Sequence, residues 1–153
     1  MLQFSIGQMQ WWTIQFDNNA TYDGSLRYMS SCASLDKKLY LTGGCFVSNS
    51  QPSSACFELN AKTATKPLKK KNMLLKRYAH SSVFFNGCVF ALGGFSHTDL
   101  PNEVPVTLAS CERFSVIDNA WTYVSTMNEA RAFTAAVTFE SQFIYVFGGL
   151  HDF

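Results

Sequence analysis

A chain of 153 residues is long enough for one ordinary domain with a sizeable core, and 47% apolar against 15% charged residues excludes a disordered tail. The formal net charge of +1 gives no electrostatic reason to expect nucleic acid or an acidic membrane as partner. With 14 Phe, 6 Tyr and 3 Trp spread along its length, the chain suits an all-β core better than a helical bundle.

No window approaches ~18 consecutive apolar residues, so no membrane span is expected. Residues 1–10 lack the basic and apolar regions of a cleaved signal. The five cysteines, Cys32, Cys45, Cys56, Cys88 and Cys111, are odd in number and match neither a disulfide framework nor a zinc site. They read as small buried apolar residues of a reducing compartment, and the protein is read as cytoplasmic.

In chain order, Arg27-Tyr28 precedes two strand-like runs at 31–35 and 39–42, separated by the turn Asp36-Lys37 and ended by Gly43-Gly44. A polar loop at 45–54 leads to a third strand at 55–59 and a poor fourth strand within 65–70. Met73 then leads into Arg77-Tyr78, and the order repeats. Strands at 81–85 and 89–92 flank Asn86-Gly87, the strongest two-residue hairpin signal, and end at Gly93-Gly94. A loop at 95–106 containing Pro101 and Pro105 precedes strands at 110–116 and 121–124. After Met127, Arg131-Ala132 opens a third copy, with strands at 135–139 and 143–147 around Glu140-Ser141-Gln142, ended by Gly148-Gly149.

The unit recurs at an interval of roughly 50 residues, which marks a repeat whose single copy cannot bury its own faces. The second strands are apolar at consecutive positions, as in Val89-Phe90-Ala91-Leu92 and the run from Phe143 to Phe147. Both faces of each sheet must therefore be covered, which favours sheets stacked about an axis over a sandwich. The side-chain-free glycine pairs admit close approach of another group, and Trp121 is the ring expected there.

This arrangement of apolar run, diglycine, aromatic strand, tryptophan, methionine and arginine resembles the kelch repeat. The second unit matches nearly throughout, with Val89 to Gly94, Cys111 to Phe114, Asp118 and Trp121 in family positions. The first unit departs from the pattern at Thr65-Lys66-Pro67, where no tryptophan stands. The resemblance implies an all-β, kelch-type β-propeller of four-stranded antiparallel blades in an incomplete ring, about two full blades and two partial ones. Residues 1–26 would supply the last strand of a preceding blade, around 11–16. Residues 27–76 and 77–130 would be full blades, and 131–153 the first half of another. Propellers carry about 4–8 blades, so the chain reads as a fragment of a longer protein, or else as a chain closed by self-association.

The resemblance further implies a protein-interaction scaffold, such as the substrate-recruiting part of a ubiquitin ligase or a cytoskeletal assembly. Family contacts with protein or peptide partners fall after the diglycine, here Cys45, Phe46, Phe95 and Ser96, and two residues beyond the arginine, here Met29, Ala79 and Phe133. These are largely apolar, so an apolar or aromatic motif is expected rather than an acidic one. His97, whose loop holds Asp99, joins this set. Arg27, Arg77 and Arg131 recur with the repeat and are expected to hold loop carbonyls. The basic residues Lys66, Lys69, Lys70, Lys71, Lys76 and Arg77 read as protection of an exposed sheet edge. The alternative is a propeller enzyme resembling galactose oxidase, or a small-molecule isomerase, with its site in blades outside this chain. No cofactor, metal, nucleic-acid or membrane partner is expected.

Overall fold

The computed structural model describes residues 2–5, 10–13, 26–34, 36–60, 67–97, 104–140 and 142–151. Strands β1 (Leu2–Ser5) and β2 (Gln10–Thr13) form an antiparallel hairpin. This hairpin adds a strand that the sequence reading did not pick out, while residues 14–16 lie outside the described set. Strand β3 (Leu26–Arg27) precedes β4 (Ser30–Ala33) and β5 (Lys38–Thr42), and β6 (Cys45–Phe46) pairs back with β3. With β7 (Cys56–Asn60) and β8 (Leu68–Lys69), the first blade runs β4-β5-β7-β8.

The second blade repeats this order with β9 (Ser81–Phe85), β10 (Cys88–Leu92), β13 (Cys111–Ser115) and β14 (Ala120–Val124). Between its second and third strands, β11 (Phe95–Ser96) and β12 (Val106–Thr107) form a short ribbon. Strands β15 (Ala135–Phe139) and β16 (Phe143–Phe147) make the third hairpin. First strands of neighbouring units lie side by side. Ser30 Oγ meets Ser82 Oγ at 2.9 Å, and Ser81 Oγ donates to the Thr134 carbonyl at 2.7 Å.

Stacking of these sheets builds the core. In β10, Val89 and Ala91 point to the first blade and join Tyr40, Cys56, Met73, Phe114 and Trp121. The alternate residues Phe90 and Leu92 point to the third hairpin, where Ala136, Ile144 and Val146 cover them together with Val83 and Cys111. An antiparallel strand with both faces covered has no solvent side on which to place polar residues. Tyr40 stacks on Phe84 across the first interface at 6.1 Å and 9°.

Trp121 anchors the outer part of the second blade. Its ring lies 5.2 Å from that of Phe114, and its indole N–H donates to the Lys71 carbonyl at 2.9 Å. It does not lie against the diglycine, as the sequence reading expects. A Cβ on Gly93 would run into the carbonyl oxygen of Arg131 and the tip of Met127, and one on Gly43 into the Arg77 carbonyl and His80. The space is reserved for backbone of the next unit: Gly44 N donates to Arg77 O at 2.9 Å, and Gly94 N to Arg131 O at 2.8 Å. A side chain at either position would break a blade-to-blade hydrogen bond. At the fourth strand of the first blade, the register places Pro67 where Trp121 stands in the second.

The first unit is also displaced by one residue from its sequence alignment. The residue after each diglycine pairs with Arg27, Tyr78 and Ala132 in turn. Left-handed backbone follows at Tyr28, Ala79 and Phe133, with φ of 53°, 52° and 55°. Leu26, not Arg27, therefore occupies the place of Arg77 and Arg131. The cause is the first hairpin turn. Ser34 N bonds Lys38 O, so the turn spans one residue more than Asp36-Lys37.

Arg77 holds carbonyls, as its repetition suggests. Its guanidinium donates to Gly93 O at 2.7 Å, Ser110 O at 2.9 Å and Glu112 Oε1 at 2.8 Å, with both charged side chains fully buried. The Glu112 carboxylate also accepts from the backbone N–H of Leu74 at 2.6 Å and Leu75 at 3.0 Å, tying down the connection between blades. In the first blade the register puts Phe57 at the position of Glu112, beside Leu26 in one apolar cluster. A buried ion pair and an apolar pair thus fill equivalent sites. Desolvation offsets much of the Coulomb gain of a buried pair, so the two solutions are close in free energy, whereas half of the pair alone is costly.

Two outcomes follow for stability. Arg77→Leu should cost about 3–5 kcal/mol in urea unfolding, because it strands Glu112, and adding Glu112→Phe should recover part of that loss. Losses that simply add would refute the exchange. Trp121→Ala should cost about 3–5 kcal/mol and lower the thermal midpoint by roughly 6–20 °C. An unchanged midpoint would contradict that role.

Candidate functional site

The left-handed residues after β3 and its counterparts form one row. Ala79 N donates to Tyr28 O at 3.1 Å, and Phe133 N donates to Ala79 O at 2.8 Å, so backbone hydrogen bonds bind three units at this end. Their side chains, with those of the next residues, line a cavity of about 310 Å³: Tyr28, Met29, Ala79, His80, Phe133 and Thr134. Because the central residue is an alanine, the rings on either side meet over it. Tyr28 and Phe133 lie 6.3 Å apart, edge to face at 88°.

Both rings face solvent, Tyr28 at 59% and Phe133 at 51% exposure. They rest on a second layer. Phe95, fully buried, contacts Phe133 at 5.6 Å and Tyr78 at 5.6 Å, and the Tyr78 ring touches His97 at 5.8 Å. Exposed aromatic rings on a rigid, buried support lose little entropy on binding.

The residues named from sequence divide into surface and support. Phe133 and Phe46 are exposed, and Met29 and His97 are half-buried. Cys45, Ala79, Phe95 and Ser96 are buried, with the ribbons β3–β6 and β11–β12 holding all but Ala79. Met29 lines the cavity but stands level with His80 and Thr134, as the glycine contacts show: Gly44 faces Met29, Gly94 faces His80 and Gly149 faces Thr134. The residue level with Ala79 and Phe133 is Tyr28, which the one-residue slip hid.

Arg27 is exposed on β3 rather than buried like Arg77. Arg131 donates to Gly148 O at 3.1 Å and pairs with Glu129. The basic cluster is dispersed. Arg77 is buried, Lys70 and Lys38 both pair with Glu58, and Lys69, Lys71 and Lys76 are exposed. Lys66 and Asp99 lie outside the described residues.

Among the described residues that line the cavity, none has a charged side chain. Burial, then the neighbouring Arg77 charge, push the His80 imidazole down to about 3, so it stays neutral. Its Nε2 lies 2.8 Å from Thr42 Oγ1. Burial raises Cys32 to about 11 and Cys56 to about 12, and it also raises Cys45 and Cys111, so these thiols stay protonated and are poor nucleophiles. Among the described residues, no group of three or more His, Cys, Asp or Glu could hold a metal ion. Nor is any helix among them long and apolar enough to cross a membrane.

His80 makes stability depend on pH. Unfolded, its ring takes up a proton near pH ~6.5, while folded it stays neutral down to about 3. Stability should therefore fall as pH drops from 6.5 toward 3. His80→Thr, the residue of the third unit at this position, should flatten the midpoint-against-pH curve over that window. An unaltered slope would show that another group is responsible.

The family model of the Kelch motif matches residues 76–128, the second unit. Kelch-like protein 38 of Mus musculus is 30% identical over 128 residues, covering 80% of this chain and 20% of the relative. Kelch-like protein 25 of Rattus norvegicus is 33% identical over 81 residues, covering 50% of this chain and 13% of the relative. The chain thus spans a fifth or less of these curated relatives. The solved structure of YjhT superposes with a TM-score of 0.67 at 15% identity, over 84% of this chain and 35% of that one. Together with the repeated blade order and its diglycine links, these matches place the chain in the kelch-repeat family, with the fold of an incomplete kelch-type β-propeller.

Proposed function

We propose that this chain is a protein-binding module that captures a short apolar or aromatic segment of its partner at the Tyr28–Ala79–Phe133 end. The observation behind this reading is that three units deliver the same backbone position to one uncharged cavity of about 310 Å³ rimmed by exposed rings. Loops fixed on a rigid scaffold are suited to recognition, and aromatic anchors dominate binding energy in protein interfaces. An acidic ligand would find no cation among the described residues of the cavity wall. Phe46 and His97 extend the contact surface on the adjoining ribbons. In a ubiquitin ligase or a cytoskeletal assembly, such a module would recruit a substrate or join components. The protonated thiols and the buried neutral His80 favour binding over catalysis.

Selection from a displayed random-peptide library should enrich sequences with an aromatic or branched aliphatic core. Their affinity should fall tenfold or more, about 1.4 kcal/mol, in Phe133→Glu, and stay unchanged in Lys69→Glu/Lys71→Glu. Enrichment of acidic peptides whose binding depends on the lysines would overturn the reading.

A further inference from the structure

His80 lines the cavity from the second unit, with the first unit on one side of it and the third on the other. Its Nε2 lies 2.8 Å from Thr42 Oγ1. Its Nδ1 is closed to solvent and has no hydrogen-bond partner among the described residues. Both residues are buried, His80 at 6% and Thr42 at 0% exposure.

The protons at this contact can be placed by elimination. A threonine hydroxyl has one hydrogen to donate, and a neutral imidazole has one donor nitrogen and one acceptor nitrogen. Burial keeps the His80 ring neutral, so it holds a single proton. Were that proton on Nε2 and donated to Thr42, the Thr42 hydroxyl hydrogen would have no acceptor among the described residues. With the hydroxyl donating to Nε2 instead, that buried hydrogen is satisfied. The ring proton then sits on Nδ1, because the bond made by one nitrogen sets the state of the other.

The equivalent positions of the other units offer no such donor. The Met29 side chain has none. At Thr134, the single hydrogen of Ser81 Oγ goes to the Thr134 carbonyl. The hydrogen between the two hydroxyls therefore belongs to Thr134 and is already used.

A segment that buries apolar side chains in the cavity brings main-chain carbonyls with it, and each buried carbonyl needs a donor. We propose that a peptide carbonyl of the captured segment accepts a hydrogen bond from Nδ1 of His80, reached as the Tyr28–Phe133 rim parts. This rests on the reading of the cavity as an apolar peptide site, and it adds a polar contact that fixes the register of the segment. Thr42 is then the positioning residue that holds the proton on Nδ1. A carboxylate in the same place would meet no cation among the described lining residues, so the neutral carbonyl is the fitting acceptor.

Long-range proton–nitrogen NMR correlation of the labelled chain at neutral pH should show the His80 proton on Nδ1 and a bare Nε2. Titration with N-acetylphenylalanine methylamide should move the Nδ1 signal downfield, as a new hydrogen bond does. Ethylbenzene, the corresponding hydrocarbon without a carbonyl, should bind and leave that signal in place. His80→Leu should lower the ratio of amide to ethylbenzene affinity about fivefold. A proton on Nε2 in the free chain, an Nδ1 signal that saturating amide does not move, or an unchanged affinity ratio would each overturn the proposal and leave the apolar site standing. Failure of both probes to bind would instead remove the apolar site, and this contact with it.

Discussion

Sheets that cannot cover their own faces govern this molecule. The second strand of each unit is apolar on consecutive residues, so each blade needs one neighbour for Val89 and Ala91 and another for Phe90 and Leu92. The first strands lie close together, held by serine and threonine hydroxyls, while the outer strands need bulkier filling. Phe114 and Trp121 supply that bulk. The diglycines follow from the same geometry. At the end of the second strand, the backbone of one unit comes within hydrogen-bonding distance of the arginine carbonyl of the next, and no Cβ fits between.

The buried polar groups are arranged to serve that stacking. Arg77 gathers the Gly93 and Ser110 carbonyls of its own blade, and Glu112 takes two backbone N–H groups from the connection that precedes the blade. The pair orders chain segments that would otherwise leave donors and acceptors unmet in an apolar interior. In the first blade, Leu26 and Phe57 achieve the same filling without charge. Equivalent sites can therefore drift between ionic and apolar solutions, provided that both partners change.

The same row of backbone hydrogen bonds that ties the units together also shapes the end at which we propose recognition. Left-handed backbone at Tyr28, Ala79 and Phe133 turns these side chains into one cavity, and the small central residue lets the outer rings meet. Phe95 beneath them is immobilised by complete burial. On the proposed reading, stability and recognition share these residues, so substitutions in the buried layer should disturb both, while the exposed rings can change with little effect on folding.

From sequence, the strand runs, the Asn86-Gly87 hairpin, the repeated diglycines and the two-faced strands were readable, because each depends on local backbone preference or on alternation within a few residues. Repetition gives Arg27, Arg77 and Arg131 one carbonyl-holding role. Arg77 makes such contacts from a buried position that repetition does not foretell, whereas Arg27 is exposed on β3. The Arg77 partner Glu112 was not readable, because a carboxylate on a strand carries no local sign that an arginine from another segment will neutralise it. The equivalence of Leu26 with Arg77 and of Tyr28 with Phe133 was hidden by a turn one residue longer than it looked, and only cross-strand pairing could show it. Trp121 was recognised as an anchor but assigned to the diglycine, although the Met127 tip and a neighbouring backbone carbonyl occupy that space. Sequence alone determined what repeats and which strands must be covered. Tertiary structure decided which atoms meet across the repeat, because those contacts depend on register summed over turns and on the approach of whole sheets.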